Sequence, residues 1–171
     1  MVITDTREPS RLKRWEYFVL YAALIVVFIL YAVVVIMGAK TEWYSNLKQA
    51  NVNPWLIRGL WLFATAMYYV TFYLLREDLK SVDVPKDLKI TPLFLVSSLL
   101  FLSWCVALYY SENLIVASWA SALLFLYNLW LFIYIWDTSP FAALFAIPTI
   151  VLYGYLFYST LHLESINDES S

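Results

Sequence analysis

Five apolar runs alternate with short polar stretches along this chain of 171 residues. They cover about 17–39, 56–75, 92–110, 114–136 and 141–163. Each is close to the roughly 20 residues that carry a helix across about 30 Å of hydrocarbon. The pattern predicts an all-α membrane protein, a bundle of five transmembrane helices over 15–163. A polar tail (1–14) precedes the bundle and an acidic tail (164–171) follows it. Trp15 and Tyr17 mark one membrane interface, and Gly38 loosens the first exit. Pro54 suits the position before the second helix, and Pro92 opens the third. The charged stretch 76–91 reads as a solvated loop, while 111–113 and 137–140 read as tight turns. Pro148 lies about a third of the way into the fifth run, where it removes a helix donor and predicts a kink.

The longest polar excursion that still carries large aromatics is 43–61, with Trp43, Tyr44, Trp55 and Trp61 among amides, Lys48 and Arg58. Indole and phenol rings suit a membrane–water boundary, so this loop is either an interfacial anchor, the favoured reading, or a lid over a pocket between helices. Of the eleven basic residues, Lys40, Lys48 and Arg58 fall on this loop's face and the other eight on the opposite one. The positive-inside rule then places the amino terminus in the cytoplasm and the loop outside. Arg7, Arg11, Lys13 and Arg14 before an apolar run imitate a secretory signal, but the run is too long for a signal core.

Composition agrees with the pattern. Hydrophobic residues make up 63% and charged residues 14%, whereas a soluble domain is about half apolar and a quarter charged. A net charge of −2 without a basic stripe excludes a nucleic-acid partner. Cys105 is the one cysteine, so no disulfide forms within the chain.

The five runs contain no Asp, Glu or Lys, and no Arg apart from Arg58, which can snorkel to the headgroups. Proton relays and ion pumps need ionisable groups at depth, so those functions are excluded. His162 is a lone histidine at the end of the last run, and Cys105 is most simply a packing residue. Together they make neither a zinc site nor a bis-histidine haem, and three glycines make no phosphate loop. No cofactor is required.

What remains is aromatic surface, 19% of the chain. In the fourth run Trp119, Tyr127, Trp130 and Tyr134 share one helical face, and Asn128 lies beside it near the bilayer midplane. A buried amide must bond to another helix, a water or a ligand, and the interhelical bond is the favoured reading. Such rings also have the means to hold a flat apolar ligand by stacking. Small residues at spacing four (Ser103/Ala107, Ala117/Ser121, Ser118/Ala122) let helices approach closely, within one bundle or across a homodimer. Val70-x-x-Tyr73-x-x-Arg76 and the reversed Arg14-x-x-Tyr17-x-Val19 are sterol-type patterns of low specificity.

Several motifs point further. Trp43-Tyr44-Ser45-Asn46-Leu47 is similar to a W-Y-x-x-L loop opening, and Pro54 falls where a Pro-Pro pair would begin. Trp104 with Tyr109-Tyr110 is similar to a W-x-x-x-F-F region, and Ser139-Pro140-Phe141-Ala142-Ala143-Leu144 with Pro148 to S-P-x-A-A-x-L-x-x-P. Over 43–163 the chain thereby resembles the translocator protein / tryptophan-rich sensory protein (TspO/MBR) family. The resemblance implies five helices, a first loop covering a pocket, and a porphyrin or sterol ligand. The chain departs from the family at Gln49-Ala50, Val52, Trp55, Thr149, Leu152 and Thr160. Val52 stands where the family has the loop tryptophan to which light-dependent porphyrin breakdown is attributed, so no enzymatic activity is expected.

The expected function is therefore binding, sensing or transport of a flat apolar molecule in the lipid bilayer, a tetrapyrrole such as protoporphyrin or haem, or a sterol. Trp43, Trp55, Trp61, Trp104, Tyr127, Asn128, Trp130, Trp136, Pro148 and Leu152 are the expected binding residues. The alternative is a structural or assembly subunit whose aromatics face lipid or partner helices.

Overall fold

A computed structural model describes residues 12–38, 40–47, 54–80 and 84–168. Among these residues the chain is helical, without a strand. The helices are α1 (Leu12–Gly38), α2 (Glu42–Asn46), α3 (Pro54–Lys80), α4 (Val84–Tyr110), α5 (Leu114–Thr138) and α6 (Pro140–Asp168). All but α2 hold 25 to 29 residues, which at about 1.5 Å per residue makes each of them roughly 40 Å long. Among the described residues, Ile90–Tyr110, Leu114–Thr138 and Pro140–Asn167 are long and apolar enough to cross a bilayer.

The sequence pattern misplaces several boundaries. Residues 76–91 are not an extended loop: α3 runs to Lys80 and α4 begins at Val84. Pro92 lies inside α4 instead of opening it. The tail beyond 163 is helical to Asp168. All three errors share a cause. Charge at the end of an apolar run reports water, and helices continue past the hydrocarbon with their charged ends wet.

Helices α3, α4, α5 and α6 pack in a ring, α3 on α6, α6 on α5, α5 on α4 and α4 on α3, and α1 docks on α4. Polar groups cap or fasten several of the helix ends. Asn113 caps α5, its side chain accepting from the Val116 N–H at 3.1 Å. Ser139 caps α6 by accepting from the Ala142 N–H at 3.2 Å and donates its own proton to the Asp78 carboxylate near the end of α3. At the far end of α6, Glu164 accepts a hydrogen bond from Ser118. Capping satisfies orphan helix donors, and each cap is worth about 0.5–2 kcal/mol.

Two apolar clusters fill the ring. One gathers Phe101, Trp104, Cys105, Leu108, Leu124, Leu152 and Leu156, with Val34, Val35 and Tyr44 against it. The other gathers Phe72, Leu75, Phe94, Leu131, Ile135, Ala142 and Ala143. Small residues allow the close approach of α5: Ala117, Ser118 and Ser121 are all buried within the one chain.

Candidate functional site

Between the two clusters the packing is incomplete. A cavity of about 40 Å³ is lined by Trp61, Ala64, Thr65, Tyr68 and Tyr69 of α3, Ser98 and Phe101 of α4, and Thr149, Leu152 and Tyr153 of α6. A second void of about 10 Å³ adjoins Thr71, Phe94, Asn128, Leu131 and Ala146. Tyr68 and Thr149 line both, so these two side chains form the partition between them.

The spacing of α3 explains its share of the lining. Residues 61, 64, 65, 68 and 69 recur at three and four, which puts them on one helical face. That face is aromatic and hydroxylic, while Leu62, Phe63 and Tyr73 point outward. From α6, Thr149 follows Pro148 directly and donates to the Ala64 carbonyl at 3.1 Å, tying α6 to α3 beside the cavity. Tyr68 donates to the Phe94 carbonyl of α4 at 2.7 Å. Ser98 donates to the same oxygen at 2.9 Å. The polar groups here are neutral, and every lining side chain is uncharged.

The expected binding residues divide into three groups. Trp61 and Leu152 line the cavity, and Asn128 lines the smaller void. Trp104 is buried behind the lining, its ring centroid 5.5 Å from that of Phe101, and its indole N–H donates to Thr160 at 3.2 Å. Pro148 is half-buried in an unbroken α6 next to Thr149. Tyr127, Trp130 and Trp136 are not on the cavity. Trp130 and Trp136 are 49% and 46% exposed on the outside of α5, and Tyr127 spends its hydroxyl on the Leu93 carbonyl at 3.0 Å. Asn128 makes the expected interhelical bond: its side-chain oxygen accepts from Ser97 at 2.7 Å, and its amide donates to the Leu124 carbonyl at 2.8 Å.

Trp43 is half-buried in α2, and the backbone of Trp55 is the second residue of α3; the Trp55 side chain and residues 48–53, with Gln49, Ala50 and Val52, lie outside the described residues. What the structure does describe of the first loop is fastened to the end of α4. The Thr41 hydroxyl lies 3.3 Å from the Tyr109 carbonyl, and the Tyr44 and Tyr109 rings meet edge to face at 4.7 Å. Burial raises the Tyr44 phenol above its ordinary pKa, and a hydrogen bond with Tyr109 offsets part of that.

Tyr68, Tyr69, Thr65, Ser98, Thr149 and Tyr153 escaped the sequence reading as site residues. The signal for the α3 group was present as a hydroxyl-and-aromatic stripe at helical spacing. Among the described residues, no group of three or more His, Cys, Asp and Glu side chains is arranged to hold a metal ion.

Comparison with known proteins adds one result. The model of the TspO/MBR family matches residues 19–165, which includes α3, α4, α5 and all but the last three residues of α6. No curated protein and no solved structure matches the chain.

Proposed function

The chain belongs to the TspO/MBR family, and from that premise we propose that it binds a flat apolar ligand in the membrane, between α3, α4 and α6. It is an integral membrane protein, and its α1 and α3 complete a five-span bundle with the three apolar helices. The observation that carries the proposal is the cavity lined by Trp61, where aromatic rings and hydroxyl groups of α3, α4 and α6 converge inside the ring. Its size sets a condition. About 40 Å³ holds about three waters, since each needs roughly 10–15 Å³, whereas a ligand of drug size fills about 300–1,000 Å³. Binding a tetrapyrrole or a sterol therefore requires the helices to part, and the ligand selects the open state.

A second reading, a structural subunit without a ligand, is favoured by that same small volume and by the outward rings of Trp119, Trp130 and Trp136. Titration of the purified protein with protoporphyrin, haem and cholesterol, followed by tryptophan fluorescence, separates the two. Saturable change at micromolar ligand supports a binding protein. A response that stays linear with added ligand, in every case, supports the structural subunit and ends the binding proposal.

A further inference from the structure

The residues that line the larger cavity are unevenly exposed, and the unevenness marks a way in. Resting on the binding proposal above, we propose that the occupant enters and leaves sideways from the hydrocarbon, between α3 and α4. Its mouth is framed by Thr65, Tyr69 and Ser98, and the route does not pass beneath the first loop.

Three sides of the cavity are closed. On α6, Thr149, Leu152 and Tyr153 are buried, and the Thr149 bond to the Ala64 carbonyl draws α6 against α3. Towards the first loop, Phe101 is buried with its ring centroid 5.5 Å from Trp104 and 5.8 Å from Tyr153. Tyr44 and Leu60 pack on that same cluster. Towards the other end, Tyr68 crosses to α4, its phenol donating to the Phe94 carbonyl at 2.7 Å and its ring 4.9 Å from the Phe94 ring. The fourth side differs. Thr65, Tyr69 and Ser98 line the cavity yet are only half-buried, with the half-buried Trp61 and Tyr68 bounding the opening at its two ends.

Helical geometry agrees. Ala64 turns to α6, while Tyr68 and Phe72 turn to α4, where both rings meet Phe94. At about 100° per residue, Thr65 and Tyr69 come next round α3 on the α4 side, before the outward Leu62 and Tyr73. Depth decides what the mouth meets. Thr65 and Tyr69 lie either side of the midpoint between Arg58 and Arg76, and Ser98 is near the middle of the Ile90–Tyr110 span. An opening there faces acyl chains, not headgroups or water. A flat apolar molecule dissolved in the bilayer reaches it without crossing the polar interface, and the α3–α4 edge is the one that parts for it. Two of the three framing side chains are small, so Tyr69 is the one that gates: a turn of its ring widens the gap while Tyr68 stays on Phe94.

The test uses the full chain in lipid nanodiscs with protoporphyrin and, separately, dehydroergosterol, a fluorescent sterol. Equilibrium titration gives Kd, a chase with excess empty vesicles gives the dissociation rate, and their quotient gives the association rate. A residue that only touches the bound molecule changes affinity through dissociation, whereas a mouth residue changes association as well. Tyr69→Ala should raise the association rate about tenfold and Ser98→Leu should lower it about tenfold, whatever happens to Kd. Tyr44→Ala loosens the first loop from Tyr109 and lies off the cavity lining. It should leave the association rate within about twofold of wild type. Either mouth variant decides alone, so the other serves where one does not fold. An unmoved association rate in a folded mouth variant, with Kd alone changed, makes these residues wall and overturns the proposal. So does faster association in Tyr44→Ala, which would place the route under the first loop. Both results leave the protein a binding protein. If neither probe saturates, the binding proposal and this one fail together.

Discussion

Ser97 on α4 donates to the side-chain oxygen of Asn128 on α5 at 2.7 Å, with both residues buried. This bond holds the one amide side chain of α5 inside an apolar ring. Ser97→Ala leaves that oxygen without its donor, at a cost of about 0.5–1.5 kcal/mol, the range for interhelical hydrogen bonds in membranes. For a chain of this size the melting temperature in detergent, followed by circular dichroism, should drop by roughly 2–4 °C per kcal/mol. Ser97→Thr keeps the hydroxyl and should recover most of the loss. An unchanged melting temperature in Ser97→Ala would show that a water serves Asn128 equally well.

Gly38 and Gly59 make a matched pair. A Cβ built on Gly38 would lie 2.4 Å from Cβ and 2.6 Å from Cγ of Tyr109, atoms too near the backbone to swing aside. Gly38→Ala should push α1 off α4 and destabilise the protein by about 1–3 kcal/mol. Gly59 sits on the exposed side of α3 with nothing within 4 Å of its would-be Cβ. Gly59→Ala should be neutral or stabilise by up to about 1 kcal/mol through helix propensity. Thermal melting of the two variants side by side checks the contrast, and equal melting temperatures would remove the close approach of α1 to α4.

The tryptophans should separate into distinct roles. Trp61 lines the cavity, so Trp61→Ala should weaken binding of whichever probe saturates by about tenfold, with a minor effect on melting. Trp104 is spent on Thr160, whose own proton goes to the Leu156 carbonyl at 2.7 Å. Trp104→Phe should lower stability by about 1–2 kcal/mol and leave affinity within a factor of about two. Trp130→Phe, on the outside of α5, should alter neither. Fluorescence titration and melting of all three variants give the comparison. A binding defect confined to Trp130→Phe would move the site to the outer face.

How far the sequence speaks depends on which signal each residue carries. The apolar runs were legible because uncharged length is a property of the bilayer and not of tertiary contacts. Their ends were not, since Arg76, Asp78 and Glu164 read as loop and tail yet sit on helices. The Asn128 bond was legible from the cost of a bare amide. The stripe through Trp119, Tyr127 and Trp130 defined a face, but in lipid an outward face is as apolar as an inward one, so periodicity did not say which way it points. Trp61 came from the aromatic stretch 43–61, and Leu152 from resemblance. Tyr68 was passed over, and Thr149 was noted only as a departure from the family, because hydroxyls in an apolar run look like ordinary packing until two helices bring them to one gap.

The last expectation concerns topology. Thr41 and Tyr44 meet Tyr109, so α2 lies at the same end of the bundle as the turn 111–113. Asp137 is at the other end of α5, 24 residues beyond Asn113, or about 36 Å at 1.5 Å per residue. All three test positions, Asn46, Glu112 and Asp137, are exposed. In a Cys105→Ser background, which removes the one native thiol, single variants Asn46→Cys, Glu112→Cys and Asp137→Cys can be labelled with a membrane-impermeant maleimide. Asn46→Cys and Glu112→Cys should react from one side and Asp137→Cys from the other. With the amino terminus cytoplasmic, as the bias of eight basic residues against three implies, the first two react in intact cells and the third only after lysis. The reverse pattern would invert the orientation and keep the bundle. Reaction of all three from the same side would mean that α5 does not cross the membrane, and neither a cavity at its midplane nor a ligand entering from lipid would survive that result.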